Sequence, residues 1–175
     1  MKKLLLSIFT FASIVTQAQV TTVFSENIGS PTGTTVYTAY TGWQNNGTLT
    51  FTGTGDVRST SPSTNAYTGA SGAGNVFLTT NAASKTLIIS NINTIGYTAL
   101  NLAFGLMKNT TASNGSELSV EVSTDGVVYT ALTFPALPTG SGTANWKWVK
   151  ATGAIPATAN LRVRFTNTAT SGPQF

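Results

Sequence analysis

The chain has 175 residues, of which 41% are hydrophobic and 8% charged, and it contains neither cysteine nor histidine. That excludes disulfides, thiolate or imidazole metal ligands and Cys- or His-based catalysis, and it suits a β-fold whose wet face is Thr, Ser, Asn and Gly. The formal charge of +4 includes Lys2 and Lys3; the other seven Lys and Arg stand against five Asp and Glu and are scattered, so no basic stripe tracks a nucleic acid.

Met1-Lys2-Lys3, an apolar run over residues 4–15 and Thr16-Gln17-Ala18 have the basic, apolar and small-residue zones of a secretory signal peptide. Cleavage is expected after Ala18, leaving residues 19–175 as one exported domain. The run is about a dozen residues, short of the ~20 that span a bilayer, so the expected location is secreted or cell surface without a membrane span.

Residues 20–25 read as a first strand, which Glu26-Asn27 and Gly29-Ser30-Pro31 break. A Thr/Gly-rich stretch punctuated by Tyr37, Tyr40 and Trp43 follows, with Gly42, Asn45, Asn46 and Gly47 supplying loop chemistry. Over residues 48–52, Leu49 and Phe51 alternate with threonines, the pattern of a strand with one face buried. Residues 56–58 begin another short strand, and residues 59–74 form a second long loop containing Pro62, Asn65 and Tyr67. Strands are expected again near residues 75–80, 85–90 and 100–108. In the last of these Leu100, Leu102, Phe104 and Leu106 share a face, while Ala103 and Gly105 opposite leave room for close packing by a loop or a ligand.

The hairpin over residues 117–132 is the clearest local signal. Leu118, Val120 and Val122 alternate with Ser119, Glu121 and Ser123, and Asp125-Gly126 supplies the turn. Residues 145–150 hold Trp146, Lys147 and Trp148; after a Pro-containing connection, Leu161, Val163 and Phe165 alternate with Arg162, Arg164 and Thr166. Nine or ten strands without a helix predict an all-β, two-sheet antiparallel sandwich of jelly-roll type. No repeat of fixed period points to a solenoid.

The ordered set Gly69-Ala70-Ser71-Gly72, Asn75-Val76-Phe77-Leu78, Ile92-Asn93-Thr94-Ile95-Gly96-Tyr97, Val120 through Gly126, Ile155-Pro156 and Asn160 through Phe165 resembles a secreted β-sandwich module of Bacteroidetes. Such modules follow a signal peptide in multidomain proteins exported by type IX secretion, and their fold is similar to the galactose-binding, jelly-roll class. The resemblance implies an architecture rather than an activity. It also implies a further strand after Gln174-Phe175: either the sequence is a fragment of a longer protein, the favoured expectation, with further domains of the same chain downstream, or the last strand is missing and an edge stands unpaired.

Catalysis is limited by the carboxylates, which are Glu26, Asp56, Glu117, Glu121 and Asp125. Glu117 and Glu121 on one strand face lie about 13 Å apart, too far for either glycosidase geometry, whose limits are ~5.5 and ~9.5 Å. Asp125 belongs to a turn, and no serine or threonine has a histidine base. No catalytic residue is assigned and enzyme activity is not expected of these residues.

A glycan-binding surface needs flat rings beside amides and hydroxyls. Tyr40, Trp43, Asn45, Asn46 and Tyr67 in the two long loops, with Trp146 and Trp148 on one strand face, form the candidate set. The competing reading is structural, with loop aromatics as anchors and strand tryptophans as core or rim packing. No cofactor is required; a structural calcium, with Glu26 and neighbouring carbonyls as ligands, is weighed against an ordinary loop glutamate. The expected function is a non-catalytic binding or adhesion module whose partner is a polysaccharide or surface glycan. The alternatives are an accessory domain of an extracellular hydrolase or nuclease with its catalytic domain downstream, and a structural adhesin domain.

Overall fold

The computed structural model describes residues 20–68, 70, 72–81 and 85–175; the signal peptide expected over residues 1–18 lies outside them. Among the described residues the chain forms ten strands and one three-residue 3-10 turn, Tyr37–Ala39.

One layer is a five-stranded antiparallel sheet built from β2 (Thr50–Gly53), β5 (Thr86–Ile92), β7 (Leu118–Ser123), β8 (Thr130–Leu132) and β10 (Leu161–Asn167), in the order β2-β5-β10-β7-β8. The central strand β10 sets the register, with Val163 opposite both Val122 and Ile89. Because side chains alternate across a strand, that register puts Val120, Val122, Val163 and Leu87 on one face, where all are buried. Each such side chain contributes roughly 1.5–3 kcal/mol of burial.

The facing layer has two parts. Strands β1 (Thr35–Val36), β3 (Asp56–Arg58) and β4 (Asn75–Phe77) pair in the order β1-β3-β4, and β6 (Leu102–Leu106) pairs with β9 (Lys147–Ala151). Successive strands change layer at most connections, the habit of a jelly roll. The layers meet in one hydrophobic core. Phe104 of β6 packs edge-on against Phe165 of β10 at 5.1 Å and against Phe134 at 5.9 Å.

The two-sheet antiparallel sandwich expected from the alternation patterns is thus the fold that forms, with three local differences. Residues 20–25 form no ladder; Val20 is exposed, while Val23 and Phe24 pack against the core without backbone pairing. In the central hairpin, Val122 pairs with Thr130, so Val127 and Val128 belong to the loop and are exposed. The cause is side-chain capture of the backbone: Asp125 Oδ1 accepts from Val127 N and Val128 N at 2.8 and 2.9 Å, and Ser123 Oγ accepts from Gly126 N at 2.8 Å.

The third difference concerns the sheet edge expected to stand unpaired near Phe175. Phe175 N and O both bond Leu78, just past β4, and on the other side Asn109 N donates to Gln174 O while Gln174 N donates to Asn109 Oδ1. Gln174 and Phe175 therefore lie between the ends of β4 and β6, and the Phe175 ring is buried. Asn167, fully buried, steadies them by donating to Leu78 O and Pro173 O.

Candidate functional site

The seven proposed ligand residues separate into two clusters. Tyr40, Trp43, Asn45 and Asn46 gather around Glu26 and β2. Tyr67, Trp146 and Trp148 gather over β6 and β9.

The first cluster is structural. Trp43 is only 5% exposed, and its ring stacks on Phe51 at 4.0 Å with planes 3° apart, flanked by Tyr40 and Tyr37. A ring covered on its faces cannot take a sugar, so Trp43 is a core residue and not a stacking platform. Its loop delivers it there because Asn45 anchors to Ser25 O and Glu26, and Asn46 Nδ2 donates to Thr41 O. The Tyr40 hydroxyl donates to Ile28 O at 2.6 Å; burial, and then the Glu26 charge, push its pKa upward. None of these four groups presents a free face and a free amide together.

Glu26 does not fit a calcium site either. Its Oε1 accepts from Ile28 N and Gln44 N, and its Oε2 from Asn45 N and Nδ2, all at 2.8–3.0 Å. Calcium needs converging oxygens, whereas here N–H donors converge on the carboxylate. Among the described residues no group of three or more acidic side chains gathers elsewhere. The role of Glu26 is to tie the segment after residue 25 to the Trp43 loop.

The second cluster forms an open site. Tyr67 lies over Gly105 of β6: a Cβ there would fall 2.1 Å from the Tyr67 hydroxyl, so only glycine lets the loop ring lie on the sheet. The small residue noted in that strand is thus explained by close packing of the 59–74 loop. Gly105 pairs with Trp148, which brings the Tyr67 and Trp148 rings to 5.5 Å with planes 33° apart. Trp148 is 55% exposed, which in a chain that buries Trp43 marks it as the available ring.

Beside the pair opens a cleft of about 440 Å³ lined by Ser61, Pro62, Met107, Asn145, Trp146 and Lys147, among others. Trp146 forms its wall and is fixed by donating Nε1–H to Ser61 O at 3.0 Å. Ser61 is held in turn by Asn75 Nδ2, which donates to Thr60 O and Ser61 O. A second cavity of about 80 Å³, lined by Asn75, Phe77, Gln174 and Phe175, shares Ser61, Met107 and Trp146 with the first.

Lys108 follows Met107 of the cleft lining. It is 1% exposed, and its Nζ donates to Ser113 O, Pro138 O at 2.7 Å and Thr143 Oγ1 at 3.3 Å. Three oxygens satisfy its three N–H bonds and tie the loop after β6 to the one that leads into Asn145. In the sequence Lys108 is one of seven scattered cations; its burial is not written there because its acceptors are carbonyls and a hydroxyl of loops that only folding brings to it. Ser61, Asn75 and Met107 were likewise missed, since each acts through a contact made only by folding.

No protein-family model, characterised protein or solved structure matches the chain. The site offers two adjacent rings, one exposed, beside a cleft whose lining includes Asn145. All five carboxylates have structural partners: Glu26 its N–H donors, Asp56 Arg58, Glu117 Ser113, Glu121 Arg164 and Asp125 its turn. Among the described residues no helix is long and apolar enough to cross a membrane.

Proposed function

We propose that the protein is a non-catalytic secreted or surface-borne binding module that takes a polysaccharide or surface glycan on Tyr67, Trp146 and Trp148. The observation that carries this reading is Trp148, more than half exposed, its ring 5.5 Å from that of Tyr67 and two residues along the chain from Trp146 of the cleft. Pyranose rings present flat C–H faces that stack on aromatic rings and equatorial hydroxyls that seek amides; Asn145 brings an amide to the lining beside Trp146. The rigidity of the wall supports the same reading. Trp146 is tied to Ser61 and Tyr67 lies on Gly105, so little ordering entropy is lost when a ligand docks.

The test is Trp148→Ala in pull-down on insoluble polysaccharides and in affinity electrophoresis on soluble ones. The exposed ring makes the substitution nearly neutral for stability, within about 0.5 kcal/mol. Glycan affinity should fall tenfold or more, about 1.4 kcal/mol. Unchanged binding in a folded Trp148→Ala protein would remove the site from consideration.

A further inference from the structure

We propose that the smaller cavity takes a hydroxymethyl group of the glycan and reads its O–H through Asn75, so that the ligand is a hexose polymer with free primary hydroxyls. The inference rests on the carbohydrate reading above and narrows its ligand class.

Asn75, the first residue of β4, is 6% exposed. Its Nδ2 donates to Thr60 O and, at 3.2 Å, to Ser61 O. Those two carbonyls fix the orientation of the amide, because the flipped group would set oxygen against oxygen. Oδ1 is left as a buried acceptor without a hydrogen-bond partner. Such an acceptor has lost its water and gained nothing in exchange, a cost that a donor brought to it would recover. Asn75, Thr60 and Ser61 all line the smaller cavity. Its two other amides are engaged with each other: Asn109 Nδ2 donates to Gln174 Oε1, and Gln174 N donates to Asn109 Oδ1. No charged side chain joins the lining, and Phe77, Trp146 and Phe175 make it largely aromatic.

Size and chemistry select the group. About 80 Å³ is less than the share of three waters at ~30 Å³ each, which suits the two heavy atoms of a hydroxymethyl and not the six of a pyranose ring. The ring belongs in the cleft of about 440 Å³, which shares Ser61, Met107 and Trp146 with the smaller cavity. A hydroxymethyl carries its donor one carbon beyond the ring, with a CH2 for the aromatic wall. A ring hydroxyl is one carbon short, and an acetamido group keeps its N–H beside the ring. A carboxylate at the same carbon has no proton to donate and would oppose Oδ1 with another oxygen. A trapped water would also satisfy Oδ1. That role predicts no discrimination among glycans at this carbon.

The experiment is titration calorimetry with hexasaccharides of β-1,4- and α-1,4-glucan, β-1,3-glucan, β-mannan and β-galactan, each beside its 6-deoxy and its C6-carboxylate form, and with xylohexaose as cellohexaose without the hydroxymethyl. Whichever backbone binds, removing or oxidising the primary hydroxyl should lower affinity at least tenfold, because a site built for a donor is left unpaired without it. Asn75→Leu should bind the native and 6-deoxy forms equally, whereas Trp148→Ala should weaken every form by the same factor. Should Asn75→Leu fail to fold, the comparison of forms on the unmodified chain still decides. Equal affinity of that chain for native and 6-deoxy forms, or a preference for xylohexaose or the carboxylates, would overturn this inference and leave the carbohydrate reading standing. Discrimination retained by a folded Asn75→Leu protein would also overturn it, and no binding to any glycan would overturn both.

Discussion

Trp43, set among Gly, Thr and Asn, and Trp148, set between Lys147 and Val149, end in opposite environments. Trp43 is 5% exposed and stacked on Phe51, while Trp148 is 55% exposed beside Tyr67. The difference arises from where each loop is pinned. Glu26 and Asn45 draw the Trp43 loop inward over β2, so its ring completes the core. Trp148 belongs to a strand whose register puts its neighbours Val149 and Ala151 in the core and turns Trp148 to the outer face, where its ring meets that of Tyr67. An aromatic residue in a small-residue stretch is therefore not in itself a ligand platform. What matters is whether the ring's partners are core side chains or one other surface ring.

The largest effect that would sharpen this contrast is Trp43→Ala, which should cost about 3–5 kcal/mol, read from the midpoint of denaturant unfolding. The same change at Trp148 should leave the midpoint nearly unmoved. Equal midpoint shifts at the two positions would erase the distinction.

A second contrast pairs two lysines. Lys108→Met leaves Ser113 O, Pro138 O and Thr143 Oγ1 without their donor and should destabilise by about 1–3 kcal/mol, whereas Lys147→Met should change stability by less than ~0.5 kcal/mol. A Lys108→Met protein as stable as the parent would show that the buried amine does not hold these loops together.

Tyr37 provides a smaller test. Its hydroxyl is buried with no hydrogen-bond partner and its pKa is raised well above the usual value of 10.0, chiefly by burial and then by Asp56. Tyr37→Phe should be neutral or stabilise slightly, because an unpaired hydroxyl is removed while the ring contacts with Trp43 remain. The unfolded chain ionises near pH 10 while the folded chain keeps the proton, so stability falls as pH rises above about 10. Tyr37→Phe should flatten that alkaline decline in thermal melts; an unchanged decline would place it on another group.

The smallest effect lies at the hairpin loop. Asp125 is held below its usual value of 3.8 by N–H bonds from Val127 and Val128, and by Ser123. Its contribution is present above that pH and is lost as pH falls through the folded value, since the unfolded chain takes up the proton first. Asp125→Asn should therefore narrow the stability loss on acidification below about pH 4. A parallel acid profile for the two proteins would show that the loop bonds are not coupled to folding.

Much of the fold was legible because a half-buried strand records its own orientation. Leu118, Val120 and Val122 announce the buried face of β7, and Leu161, Val163 and Phe165 that of β10, from alternation alone. The Val127-Val128 pair misled by the same logic: apolar and β-branched, it reads as strand, yet two backbone bonds to Asp125 hold it in the loop. The candidate site was legible in residue type and only partly in place. Tyr67, Trp146 and Trp148 could be proposed from their neighbours, but that Tyr67 rests on Gly105 depends on a contact across thirty-eight positions of sequence.

The sequence by itself determined that this is a two-layer β protein without cysteine or histidine chemistry, because period-two alternation and composition are local properties of the chain. Only the tertiary structure decided which aromatics are core and which face outward, that Lys108 is enclosed by carbonyls, and that Gln174 and Phe175 pair between β4 and β6. Those outcomes depend on strand register and on loop anchors far apart in the chain, and a residue's exposure follows from the partners that register brings to it.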